Sequence, residues 1–273
     1  MPDPVFLADY KPFPWSVGQV SLTFRLAPDA TRVQARIRFA PNPAAGPGAH
    51  ALRLDGEGPR LLSLSVDGRP VAAQPDATGL TLAAHDLPPG GFVLETEVEI
   101  APVANTALEG LYMSKGMYCT QCEAEGFRRI TFYPDRPDVM ASFHVRIESD
   151  LPVLLSNGNP AGQGPGWAEW DDPWPKPAYL FALVAGDLLA HRAPYTTASG
   201  RAVALAIWVR PGDEARCGYA MDSLIRSMRW DEATYGREYD LDVFNIVAVD
   251  DFNMGAMENK GLNIFNSKYV LAL

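Results

Sequence analysis

Phe92-Val93-Leu94-Glu95-Thr96-Glu97-Val98-Glu99-Ile100 decides the fold class. Phe92, Leu94, Thr96, Val98 and Ile100 fall on one side of an extended chain, and Val93, Glu95, Glu97 and Glu99 on the other. The stretch therefore predicts a strand with one buried and one wet face. The same period of two recurs elsewhere. Val20, Leu22, Phe24 and Leu26 alternate with Ser21, Thr23 and Arg25, and Val33, Ala35, Ile37 and Phe39 with Gln34, Arg36 and Arg38. Phe143, Val145 and Ile147 alternate with His144 and Arg146. Breaks rich in Pro, Gly and Asn at residues 41–48, 67–68, 88–91 and 157–166 separate the strands. Trp167, Trp170 and Trp174 read as part of a long loop packed onto the sheet. Many short strands punctuated in this way predict an antiparallel sandwich or twisted sheet over the first two-thirds of the chain.

The pattern changes after an apolar run at residues 178–187. Residues 203–209 and 243–249 are further apolar strand candidates. Between them, Met221, Leu224, Ile225 and Met228 share one helical face, with Asp213 as the expected N-cap and Gly236 as the expected stop. A boundary near Asp187 is expected. Residues 1–187 would form a β-domain and residues 188–273 the beginning of an α/β domain.

A chain of 273 residues suffices for one large or two ordinary domains. Its formal net charge of -10 argues against nucleic acid or an anionic membrane as the main partner. No apolar run approaches the ~18–20 residues of a membrane span. The start, Met1-Pro2-Asp3-Pro4, lacks the basic residues and apolar core of a signal peptide. Three cysteines are an odd number for a disulfide framework, so a cytoplasmic location with reduced thiols is expected. Cys119-Thr120-Gln121-Cys122 has the spacing of a redox pair or half a zinc site. Only Cys217 remains to complete a four-cysteine site, and no thioredoxin-like pattern surrounds it. His50, His85, His144 and His191 are far apart, so no helical pair of metal ligands exists.

Asn253-Met254-Gly255-Ala256-Met257-Glu258-Asn259-Lys260-Gly261 carries the chemistry. It holds one carboxylate, Glu258, in a glycine-bounded segment with Met254 and Met257 as adaptable apolar walls. Gly255 and Gly261 permit unusual backbone shapes and close approach by a ligand backbone. Glu123 and Glu125 lie in a second charged stretch with Gly126, Arg128 and Arg129, which alone reads as a loop with local ion pairs.

Three more segments join that motif. They are Asn105-Thr106-Ala107-Leu108-Glu109-Gly110-Leu111-Tyr112; residues 119–128 with Tyr133-Pro134-Asp135-Arg136-Pro137-Asp138; and Lys176-Pro177-Ala178-Tyr179-Leu180-Phe181-Ala182-Leu183-Val184-Ala185-Gly186. Together they resemble the bacterial branch of the aminopeptidase N (alanyl aminopeptidase) family of zinc metallopeptidases. The resemblance implies a saddle-like β-domain followed by the start of a thermolysin-like α/β catalytic domain. It implies that Glu123 and Glu258 bind the free α-ammonium of a peptide. Gly255 and Ala256 would meet the peptide backbone, Met254 and Gln121 would help form the pocket for the first side chain, and Met257 and Asn259 would complete the motif. The family's zinc ligands, an H-E-x-x-H helix and a later Glu, are expected beyond Leu273. The chain is accordingly expected to be an inactive N-terminal fragment of a monomeric zinc enzyme with broad choice of first residue, Ala included. Two alternatives stand beside this reading. One is a non-catalytic β-domain that binds peptides or a partner. The other is a relative acting on a lipid epoxide, against which the Ala256 spelling and the block at residues 119–123 speak.

Overall fold

The computed structural model describes residues 6–272; residues 1–4, where a signal peptide was sought, lie outside the described residues. The first part forms β1 (Trp15–Arg25), β2 (Thr31–Pro41), β3 (Leu52–Asp55), β4 (Arg60–Val66), β5 (Arg69–Pro70), β6 (Gly79–Leu82) and β7 (Phe92–Ile100). It continues with β8 (Gly110–Ser114), β9 (Met117–Gln121), β10 (Ala141–Glu148), β11 (Val153–Ser156), β12 (Asn159–Gly164), β13 (Trp167–Lys176) and β14 (Leu183–Gly186). After Asp187 come β15 (Leu189–Thr196), β16 (Ala202–Val209), helix α1 (Gly218–Tyr235), β17 (Val243–Val249), β18 (Ala256–Met257), β19 (Leu262–Asn266) and the single turn α2 (Ser267–Val270).

Among the described residues, an eight-stranded sheet runs β12-β13-β10-β1-β2-β7-β4-β5 and a four-stranded sheet runs β11-β14-β9-β8. The alternation in β7 has the expected result. Leu94 and Val98 are fully buried, while Glu95 and Glu99 pair across to Arg36 and Arg32 of β2 at 3.3 and 3.0 Å. Such exposed cross-strand pairs add little energy but fix the wet face. Between the two sheets, Phe181 lies 5.2–5.9 Å, centroid to centroid, from Phe24, Phe127 and Phe143. The large sheet departs from antiparallel order at one place. β1 pairs with β10 in parallel, Val20 opposite Phe143.

Two expectations fail here. Residues 157–166 are not simply a break, and the tryptophans do not sit on a loop. β12 and β13 form a hairpin that extends the large sheet beside β10. β12 is an edge strand, where Gly and Pro are tolerated. β13 buries Ala168, Trp170 and Asp172 on one face. Asp172 is masked in a hydrophobicity reading because its charge is met by Lys176 at 2.9 Å, both side chains being buried. The Lys176 ammonium also sits 4.0 Å from the centroid of the Phe143 ring, and burial pulls it down to about 8.

The second part is a five-stranded sheet, β15-β16-β17-β19-β18. Its two faces serve two cores. Ile246 and Ala248 of β17 pack with Met221 and Met228 of α1, whereas Val247 and Val249 join the core of the preceding β-part. A strand covered on both faces reads as an unbroken apolar run, as residues 243–249 do. Gly236 ends α1 in a left-handed conformation (φ 62°), as expected. Asp213 does not cap it. Its carboxylate binds Arg216 at 2.8 Å and heads a 3-10 turn, and α1 begins only at Gly218.

Phe181 joins three aromatic neighbours across the sheets. Phe181→Ala should lower unfolding free energy by about 3–5 kcal/mol, read as a shift of the urea midpoint at unchanged slope.

Candidate functional site

The candidate site is built on the edge of the five-stranded sheet. Among the described residues, β18 pairs with β19 through only Ala256–Phe265 and Met257–Ile264, and its other side carries no strand. The strand alternation divides the motif. Met257 and Asn259 are buried, with Met257 in the β-part's core, while Ala256 and Glu258 are exposed on the opposite face. Glu258 borders a groove of about 900 Å³ that is also lined by Met228, Tyr239, Phe244, Lys260 and Asn263. Met257 is thus a packing residue, not an adaptable wall. Met254 is 40% exposed in the loop ahead of β18, an open position in this chain.

Gln121 ends β9 and is 1% exposed. Its Nε2 lies 3.7 Å from Met257 Sδ and 3.4 Å from the carbonyl of Glu123. This contact brings the two predicted segments together, Gln121–Glu123 from one sheet and Ala256–Glu258 from the other. Glu123 is exposed, as is Glu258, so neither carboxylate is shielded from water in this chain. Gly255 is not strained, and an added Cβ would touch only the Tyr269 ring at 3.8 Å. Gly261 does need to be glycine. Its φ is +80°, and a Cβ would stand 2.9 Å from the backbone nitrogen of Gly158.

Sequence reasoning missed the groups that hold the motif. Buried Asn157 donates from Nδ2 to the carbonyls of Lys260 (2.9 Å) and Leu180 (3.1 Å), and its Oδ1 accepts from Ala182 N (2.7 Å). At the motif's other end, Tyr112 Oη donates to the Asp251 carbonyl at 2.9 Å and Ser114 Oγ to the Asp251 carboxylate at 2.8 Å. These residues stand more than a hundred positions apart in sequence; only the acidic pair Asp250-Asp251 before the motif hinted at a polar anchor.

The loop carrying Glu123 has its own anchor. Asp135 accepts from the backbone N and the Nε of Arg128, both at 3.1 Å, and Arg128 also meets Glu125 at 3.2 Å. Burial pushes the Asp135 carboxyl up to about 6 despite these bonds. Cys119 and Cys122 are buried, free thiols. Burial pushes Cys119 up to about 12 and raises Cys122 as well, so the C-x-x-C pair is a poor nucleophile and a poor metal ligand. Among the described residues, no group of three or more His, Cys, Asp or Glu side chains could hold a metal ion.

Residues 83–180 match the peptidase M1 N-terminal domain, and residues 219–273 match the peptidase family M1 domain. The chain is 55% identical to aminopeptidase N of Caulobacter vibrioides over 281 aligned residues, covering 99% of this chain. The chain belongs to the M1 peptidase family. Aminopeptidase N of Escherichia coli is 50% identical over 279 residues, again covering 99% of this M1 chain. The chain spans 32% of the length of either relative. Among solved structures, Legionella pneumophila aminopeptidase A in complex with aspartic acid superposes with a TM-score of 0.91 at 34% identity, over 97% of this chain and 32% of that one. Leukotriene A4 hydrolase from Saccharomyces cerevisiae, at 17% identity and a TM-score of 0.79 over 98% of this chain and 44% of that one, shares the fold.

Two outcomes test this geometry. Gly261→Ala should cost about 1–3 kcal/mol of stability, measured by denaturant unfolding. Asp135 has a folded-state pKa above its unfolded value of ~3.9, so the unfolded chain loses this proton first as pH rises. Its contribution to stability should therefore fall between about pH 4 and pH 6 and stay low above that. The unfolding free energy of the parent minus that of Asp135→Asn should decline across this window.

Proposed function

We propose that this M1 chain is the N-terminal third of a zinc aminopeptidase and supplies its anchor for the substrate's free amine. The observation that carries the reading is the contact of Gln121 with Met257. It ties the segment that carries Glu123 to the edge strand that carries Glu258. A peptide laid along that edge would add as a further strand, with Gly255 and Ala256 offering backbone groups. Its α-ammonium would then be held by the two carboxylates through charge-assisted hydrogen bonds. Gln121 and Met254 would border the first side chain, while Met257 and Asn259 hold the strand from beneath.

The counting of residues from the N-terminus follows from the same chemistry. A free amine satisfies both carboxylates. A blocked one leaves them facing each other with no cation, and removing one partner of a desolvated charge pair costs ~2–5 kcal/mol. In the longer enzyme, the rest of the catalytic domain would supply that desolvation. Zinc bound there would supply Lewis-acid chemistry for the scissile carbonyl and its attacking water. The described residues of this chain include no ligand set for it, and their role ends at binding and orienting the peptide. The reading includes a cytoplasmic setting, supported by three free, buried cysteines, and peptides rather than nucleic acid or membrane as partners. It also includes a monomeric enzyme that accepts Ala among many first residues.

In the longer enzyme, Glu258→Gln should raise KM for an alanyl chromogenic amide about 30-fold or more, the lower end of that ~2–5 kcal/mol range. Equal cleavage of N-acetylated and free substrates would sink the reading. The isolated 273-residue chain should hydrolyse no alanyl amide; chelator-sensitive hydrolysis by the pure chain would count against it.

A further inference from the structure

The hairpin of β8 and β9 turns at Lys115 and Gly116, both with positive φ. Its tip is gripped by residues from the other side of Asp187. Arg210, directly after β16, donates from Nη2 to the Ser114 carbonyl at 2.9 Å and from Nη1 to the Lys115 carbonyl at 3.2 Å. Its Nε donates to Asp250 Oδ2 at 3.2 Å, and Lys115 Nζ reaches the same oxygen at 2.9 Å. Ser267 Oγ donates to Asp250 Oδ1 at 2.8 Å. Next to it, Ser114 and Tyr112, both fully buried, hold Asp251. Four separate chain segments are thus joined by one guanidinium and one carboxylate.

The ion pairs here are not chiefly a source of stability. The Lys115 side chain is 63% exposed, and such pairs contribute little. What the clasp controls is register. Arg210 presents a planar, rigid fork to three acceptors, so the hairpin tip and the Asp250 loop cannot slide past each other. From the clasp, β9 runs to Gln121 and Glu123, paired on both sides by β8 and β14. From the same clasp, the chain runs through Asp251 to Glu258, tied by Asn266 Nδ2 to the Phe252 carbonyl at 3.2 Å and by Asn266 N to the Gly255 carbonyl at 3.0 Å. Both carboxylates therefore sit at the far ends of short, braced arms that share one fixed end.

We propose that Arg210 and Asp250 are positioning residues that set the separation of Glu123 and Glu258, and so the enzyme's selectivity for a free α-amine. The inference rests on the amine-anchor reading above. A displacement of ~1 Å in such a constellation can cost up to ~100-fold. Neutralising one member of the clasp should therefore weaken amine recognition without touching substrate.

The test uses the longer enzyme and two ligands read by competition against a chromogenic substrate in initial rates, the alternative substrate alanyl-alanine amide and its des-amino counterpart propionyl-alanine amide. Asp250→Asn should weaken the first roughly 10-fold, a partial loss on the scale just given, and leave the second unchanged. KM for alanyl substrate should rise more than kcat falls. In a Glu123→Gln background, Asp250→Asn should add no further loss of amine preference. Lys115→Arg, which keeps the charge, should behave as the parent. Ser114→Ala and Arg210→Gln serve as independent disruptions should Asp250→Asn fail to fold. Equal weakening of both ligands, or no change in either, overturns the proposal while leaving the anchor intact. If Glu123→Gln and Glu258→Gln themselves leave the preference for the free amine unchanged, the anchor reading fails, and this inference with it.

Discussion

Met257, buried beneath Gln121, is the contact on which the candidate site depends. β18 has two residue pairs with β19 and, among the described residues, no strand on its other side; backbone pairing alone would leave it frayed. Its hold comes from below, where Met257, Leu262 and Ile264 enter the core that Phe127, Phe143 and Phe181 began. The five-stranded sheet therefore uses the β-part as its second layer. The change of sheets at Asp187 is real in topology, but the apolar core runs across it.

The same packing explains why the motif must be a strand. Met257 and Asn259 face the core while Ala256 and Glu258 face outward. A slip of one residue would bury Glu258 and expose Met257. The fully buried Met257 and the Asn157 bridge to Lys260 oppose that slip from within and from the end of the segment. Gly261, pressed against Gly158, allows the approach that makes the bridge possible.

Strands with one wet face were legible in the sequence, because the alternation in β2 and β7 reports directly which side meets water. β13 was not, since its inward Asp172 and Lys176 cancel each other's charge inside the protein while looking like surface residues in a list. The end of α1 was legible at Gly236, whose backbone shape is a local property. The start was not, because Asp213 is taken by Arg216. At the candidate site, Glu123 and Glu258 were singled out as a pair by family resemblance and by no local pattern. Asn157, Ser114 and Arg210 act through contacts that span roughly a hundred residues or more of sequence, and no local pattern encodes such partners.

The parallel pairing of β1 with β10 has a consequence for how the chain is made. Val20 must wait for Phe143, so its partner leaves the ribosome about 120 residues later, roughly 6–25 s at ordinary rates of synthesis. During that interval β1, with β2 and β7 already able to pair beside it, presents a long open edge rich in Val, Leu and Phe. Such an edge is a template for pairing with another nascent chain. The exposure of that edge ends when β10 and the β13 hairpin arrive and extend the sheet beyond it.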